Sequence, residues 1–435
     1  MRAFFLLIAL LFGFHLNGQS EIYVYKDTLG LLTYEEITSK EFKLLEHQVL
    51  EPHNHSTYWF KVPSHSTNSE YRLTIYYDRY QKGEFYQNGE KIENLENQRY
   101  LSYRFSRGQD AYLKIAPKFH AYIPVKLQKE AEFLQDESSQ LLLNGFYYGF
   151  AILIIIYNLS YYFVFRDLSF LYYALFLTSM SLGIFIMDGM LTYWGITGFW
   201  NDLIMILNYI AVAFFSAQFG NHYLSLDLYY PQLRRMMYGL GTILIILGGL
   251  FMVFGGFWFL LFINLIVFTM LFSYWGAAIL MYKRNVYARI LTFAYIIILF
   301  SGIDFFILKF LGIKFPLVDI NAVNIKIGGF LEMIALSVAV LYRMYIFREE
   351  NIYMRNEIIR FSSLTLQQNT ASDKLDLLSI REREIFDLIS QIKTNKEIAN
   401  ELNISVNTVK FHIKNIYGKL EVKNRKEVLS LASNQ

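Results

Sequence analysis

The chain has 435 residues, of which 54% are hydrophobic, 18% aromatic and only 18% charged, with a formal net charge of +3. So apolar a composition excludes an ordinary soluble protein, and the near balance of charge means that partners must be read segment by segment. The absence of cysteine excludes disulfides, thiolate metal sites and a lipoprotein anchor, so any exported part is held by its core alone.

Residues 1–20 read as a signal peptide. Arg2 gives a positive start, residues 3–14 an apolar run too short to span a bilayer, and Gly18-Gln19-Ser20 a small-x-small cleavage pattern. Residues 21–135 then read as an exported all-β sandwich, jelly-roll-like. Segments 56–62, 70–78 and 111–115 are rich in Tyr, Phe, Ile and Thr with near-alternating polarity, as half-buried strands should be. Asn88-Gly89 between 84–87 and 90–92 predicts a hairpin, because a type I′ turn needs positive φ at both positions. His53 and His55 lack a third ligand nearby and are expected to be solvated, so no metal site and no catalytic group is assigned here. Trp59, Tyr76, Tyr77, Tyr80, Phe85 and Tyr86 offer rings to a sugar or other small extracytoplasmic ligand, against the alternative that most such rings in a strand are simply core.

Residues 141–347 hold seven predominantly apolar runs, near 143–165, 168–187, 202–223, 236–254, 257–282, 288–311 and 323–346. Each can cross a hydrocarbon core ~30 Å thick at ~1.5 Å per helical residue. With the N-terminus exported, inner connections carry Arg166, Arg234, Arg235, Lys283, Arg284 and Arg289, against Lys309, Lys314 and Lys326 in the third outer one. That excess follows the positive-inside rule and leaves the C-terminus cytoplasmic. Asp304 and Glu332 stand within the sixth and seventh spans. A carboxylate in hydrocarbon costs about 2.5–3.5 kcal/mol, so both are expected to face the bundle interior, paired with Lys309 and Lys326 for structure rather than relaying ions.

Gly145-Phe146-Tyr147-Tyr148-Gly149, Tyr157-Asn158-Leu159, the run from Arg166 to Tyr173 that opens Arg166-Asp167-Leu168, and Asp188-Gly189 together resemble the bacterial seven-transmembrane receptors with diverse intracellular signalling modules. The resemblance implies a jelly-roll-like exported sensor, carbohydrate-like ligands, and an output module that differs from member to member.

Beyond the last span, Met333, Ser337, Val340, Met344, Phe347, Asn351, Met354, Ile358 and Phe361 are spaced alternately four and three, a heptad seam. Residues 348–373 are therefore expected to form a signalling helix, coiled with a second copy, and a polar linker. Asn351 is the kind of seam residue that fixes register in a homodimer.

Residues 374–435 predict an all-α helix-turn-helix. Ser379 and Glu382 mark one helix start, residues 395–402 suit a short second helix, and residues 406–420 a third. On that third helix Val409, Ile413, Ile416 and Leu420 make an apolar stripe, while Lys410, Lys414 and Lys419 lie off it. A solvated basic face would look similar, but here paired helices, turn and a following helix occur in order. The markers Arg381-Glu382-Arg383-Glu384, Asn395-Lys396-Glu397-Ile398-Ala399, Ile404-Ser405, Thr408-Val409-Lys410 with His412, and Asn424-Arg425 closely resemble the LuxR-type DNA-binding domain. Ile392 departs from it, standing where the family usually has glycine before the second helix. The resemblance implies base contacts by Lys410, Phe411 and Lys414, phosphate contacts by Lys396, Ser405 and Thr408, and a dimer surface on residues 424–432.

The expectation is a membrane-embedded one-component regulator in the bacterial cytoplasmic membrane, binding double-stranded DNA, with no cofactor and no enzymatic step, since no nucleotide loop or kinase histidine box is visible. The rival is a transporter or intramembrane enzyme whose tail makes only protein contacts.

Overall fold

The computed structural model describes residues 21–65, 69–283, 286–314, 322–367 and 377–433; the expected signal peptide and residues 368–373 of the expected linker lie outside them. The chain divides into two compact units, Met1–Val340 and Leu341–Gln435.

The first unit opens with eleven strands: β1 (Tyr23–Asp27), β2 (Lys43–Leu44), β3 (Val49–Glu51), β4 (Thr57–Val62), β5 (Glu70–Ile75), β6 (Glu84–Gln87), β7 (Glu90–Ile92), β8 (Leu101–Ser106), β9 (Ala111–Ile115), β10 (Ala121–Ile123) and β11 (Val125–Lys129). A six-stranded sheet ordered β2-β1-β4-β9-β6-β7 faces a three-stranded sheet ordered β11-β5-β8, with β10 and β3 paired beside them. Alternation decides the core. Tyr58, Phe60 and Val62 of β4 point inward to meet Leu73, Ile75 and Tyr103, while Trp59 turns to the other face, under Ile37 and beside Tyr112. Asn88 and Gly89 take φ of 54° and 83° between β6 and β7, the expected hairpin.

The rings expected to face a ligand are mostly core. Trp59, Tyr77, Tyr80 and Phe85 are buried, Tyr76 packs on Tyr100 at 5.4 Å, and Tyr86 stacks on Tyr34 at 5.1 Å. The physical reason is that both faces of the large sheet are covered, one by the second sheet and the other by a cluster around Ile37, Tyr34 and Phe42.

Among the described residues seven long helices follow: α1 (Glu130–Phe165), α2 (Leu168–Met187), α3 (Phe199–Tyr223), α4 (Pro231–Phe254), α5 (Phe257–Leu280), α6 (Val286–Ile303), continued by a π-helical turn at Asp304–Leu308, and α7 (Ala322–Gln367). All seven are long and apolar enough to cross a membrane. The first begins earlier than hydropathy suggested. Its polar opening turns dock on the sandwich, where Glu130 accepts from Arg72 at 2.6 Å and the Arg72 guanidinium lies 4.1 Å over the Phe133 ring.

Sandwich and bundle are joined through the Asp188-Gly189 turn. Arg99 is bidentate on Glu137 at 2.6 and 2.7 Å and donates to the Asp188 carbonyl at 3.3 Å. Gly189 has φ 70°, and a Cβ there would lie 2.0 Å from the Arg99 carbonyl oxygen, so only glycine permits this approach. The Asp188 carboxylate meanwhile accepts from Tyr148 at 2.6 Å and Lys326 at 2.9 Å. His53 is not solvated as expected: its ring stacks on Phe257 at 4.5 Å.

The two intramembrane acids differ. Asp304 has Lys309 at 3.9 Å, the expected pairing. Glu332 is buried and its carboxylate oxygens have no hydrogen-bond partner, because Lys326 is held instead by Asp188 and by Asn144 at 2.5 Å.

Candidate nucleic-acid interface

The second unit contains the four helices α8 (Ile380–Ser390), α9 (Asn395–Glu401), α10 (Val406–Leu420) and α11 (Arg425–Ser433). Each of the first three begins at a hydroxyl cap. Ser379 and Glu382 close a capping box on α8, and Thr394 and Glu397 close another on α9, with Thr394 N–H donating to Glu397 at 2.7 Å. The Thr394 N–H holds the exposed Glu397 carboxyl below its ordinary range. Ser405 caps α10 by accepting from the Thr408 N–H at 3.0 Å. Between α9 and α10 Asn403 takes φ 53°, a left-handed position that asparagine tolerates.

On α10 the expected stripe of Val409, Ile413, Ile416 and Leu420 is buried, packing α10 against α8 and α9. Lys410 and Lys414 project on the opposite face and are exposed, and Phe411 lies half-buried between them. Lys419 does not share that face: it is buried in an ion pair with Glu382, so it ties α10 to α8. Two arginines serve the framework in the same way. Arg381 donates to the Leu402 carbonyl at 2.8 Å, and Arg425 to Asn395 at 2.9 Å. His412 is buried, its ring nitrogens have no hydrogen-bond partner, and burial pushes its pKa down, so the neutral ring packs as an apolar plate.

Of the expected phosphate contacts, Lys396 is half-buried at the start of α9. Ser405 and Thr408 sit together at the N-terminus of α10 with hydroxyls 2.7 Å apart. The Thr408 hydroxyl also donates to Glu350 of α7 at 3.1 Å, a contact that reading the tail alone missed. Ile392 takes φ 63° and is 75% exposed, which explains why glycine suits this turn.

Residues 140–343 match the family model described as 7TM diverse intracellular signalling, and residues 376–432 match bacterial regulatory proteins, luxR family. The tail is 55% identical over 53 residues to the spore germination protein GerE of Bacillus subtilis, covering 12% of this chain and 72% of that protein. It is 46% identical over 54 residues to the monoamine regulon transcriptional regulator of Klebsiella aerogenes, covering 12% of this chain and 24% of that one. It is likewise 46% identical over 65 residues to the transcriptional activator protein ExpR of Dickeya dadantii, covering 15% and 26%. Apart from GerE, the chain thus spans about a quarter of the length of these relatives.

Proposed function

For a chain that belongs through its last domain to the luxR family of bacterial regulatory proteins and carries a 7TM diverse intracellular signalling block, we propose a one-component transcription regulator embedded in the cytoplasmic membrane. The sandwich lies outside, the second unit lies in the cytoplasm, and a ligand sensed on the outer side alters promoter binding. The carrying observation is the face of α10: Lys410 and Lys414 stand exposed beside Phe411, and the opposite face is spent on the core. A helix so divided can enter a major groove.

Lys396, Ser405 and Thr408 then take phosphates, favoured by the N-terminal dipole of α10. In this conformation the Glu350 carboxylate holds the Thr408 hydroxyl where an anionic phosphate would come, which describes a resting state. Of the seam, Asn351 is exposed and Ile358 is 49% exposed, surface that a second copy would cover. Homodimerisation along it would set two reading helices on half-sites about one DNA turn apart. The test is the salt dependence of DNA binding by the full-length protein. Replacing Lys410 and Lys414 by alanine in both protomers should abolish promoter preference, whereas Lys396→Ala should lower affinity for every sequence alike and flatten the log–log salt slope by about one.

A further inference from the structure

Beneath the sandwich lies a partly open cavity of about 120 Å³. Its lining is mostly apolar, with Phe176 and Ile184 from α2, Val212 from α3, Val267 and Phe268 from α5 and Leu299 from α6, interrupted by Asn208 and Asn264. One part of its lining is not supplied by the bundle: Asp78 and Arg79, from the segment after β5, also line it.

This pair is poorly served where it lies. Arg79 Nε is 3.6 Å from Asp78 Oδ2, too far for a hydrogen bond. Its other nitrogens meet the thioether of Met205, a weak acceptor, and the Tyr209 hydroxyl at 3.3 Å. Asp78 Oδ2 is buried with no hydrogen-bond partner. Burial raises the Asp78 carboxyl to about 6 against the opposing pull of Arg79, a sign of how little solvates it. Buried charges left in this state are costly unless something completes their bonding.

We infer that the cavity is a ligand site for a small uncharged molecule, roughly the size of benzene, whose single hydroxyl or amide head donates to Asp78 and accepts from Arg79. Size sets the upper limit, since an apolar cavity of about 150 Å³ takes one benzene ring. Charge sets the head group: Asp78 and Arg79 already cancel, so a carboxylate ligand would bury a net charge, whereas a head that donates and accepts satisfies both. A carbohydrate is disfavoured because the mostly apolar lining leaves most of its hydroxyls without partners. The site deepens the sensing reading above and rests on it for its biological meaning. Because its polar end belongs to the sandwich and its body to the bundle, an occupant bonds the two together.

The experiment is ligand-observed NMR on the full-length protein in lipid nanodiscs, with benzyl alcohol as probe, benzoate as charged competitor and empty nanodiscs as reference. Saturable binding beyond the empty discs is expected, unaffected by equimolar benzoate. It should weaken at least about tenfold when Val267→Phe or, from another helix, Val212→Phe fills the cavity, and by about tenfold in Asp78→Ala, the value of a hydrogen bond to a charged group. Thermal melting of each variant identifies any that has failed to fold. No saturable binding, or binding indifferent to both filled variants, overturns the site while leaving DNA regulation standing. Saturable binding with promoter output unchanged supports the site and contradicts the sensing reading.

Discussion

Ile392 is held at φ 63° in the turn between α8 and α9, a conformation that costs a β-branched residue about 1–2 kcal/mol. Ile392→Gly removes that strain and gives back part of it as unfolded-chain entropy. The expected result is a net gain of about 1 kcal/mol, read as roughly fivefold slower hydrogen exchange of the α8 and α9 amides. At the sandwich–bundle joint, His120 lies 4.4 Å from the Phe310 ring and 3.3 Å from the Tyr77 hydroxyl. Burial, with the nearby charges of Arg79 and His53, pushes its imidazole down to about 3 from an ordinary 6.5. The unfolded chain therefore binds the proton first, and stability fully present above pH 6.5 is lost as pH falls toward 3. His120→Gln keeps a polar partner for Tyr77 and cannot titrate. Its melting temperature should accordingly fall less than that of the native protein between pH 6.5 and 4, by differential scanning fluorimetry in detergent.

Elements were legible where one physical signal dominated. Long apolar runs located all seven membrane helices, and a hydroxyl cap with an acid three residues on located the start of α8, because both signals are local. The start of α1 was hidden: residues 130–140 are polar, and what makes them helical is their contact with Arg72 and Arg99 across the chain. The aromatic residues of the sandwich misled for the same reason, since alternation tells which residues share a face but not what covers it. Lys419 looked like Lys410 and Lys414 by composition, and only the packing of α10 on α8 assigns it to Glu382. The Asp188-Gly189 motif was visible, yet its purpose, a backbone approach to Arg99, lay in a partner distant in sequence. At this scale the contact between α7 and α10 makes its own prediction. Glu350→Ala frees the Thr408 hydroxyl and removes a carboxylate from the phosphate position, so DNA affinity should rise a few-fold, on the order of 0.5–1 kcal/mol by fluorescence anisotropy.

For the molecule as a whole, the proposed function assigns communication to one helix. α7, running Ala322–Gln367, begins in the first unit and ends in the second, so a ligand-driven change in its position is the simplest route from membrane to DNA. Such a regulator needs no phosphoryl transfer, only two arrangements of α7 that the ligand stabilises unequally. In the proposed function it acts while tethered, restricted to DNA that approaches the membrane.

The most direct measurement of that claim is genome-wide crosslinking and recovery of DNA with the full-length protein tagged at both ends, beside the Lys410→Ala, Lys414→Ala variant. The account predicts specific promoter peaks recovered through either tag and lost in the variant. Absence of specific peaks under both inducing and non-inducing growth, or peaks that persist in the variant, would contradict it.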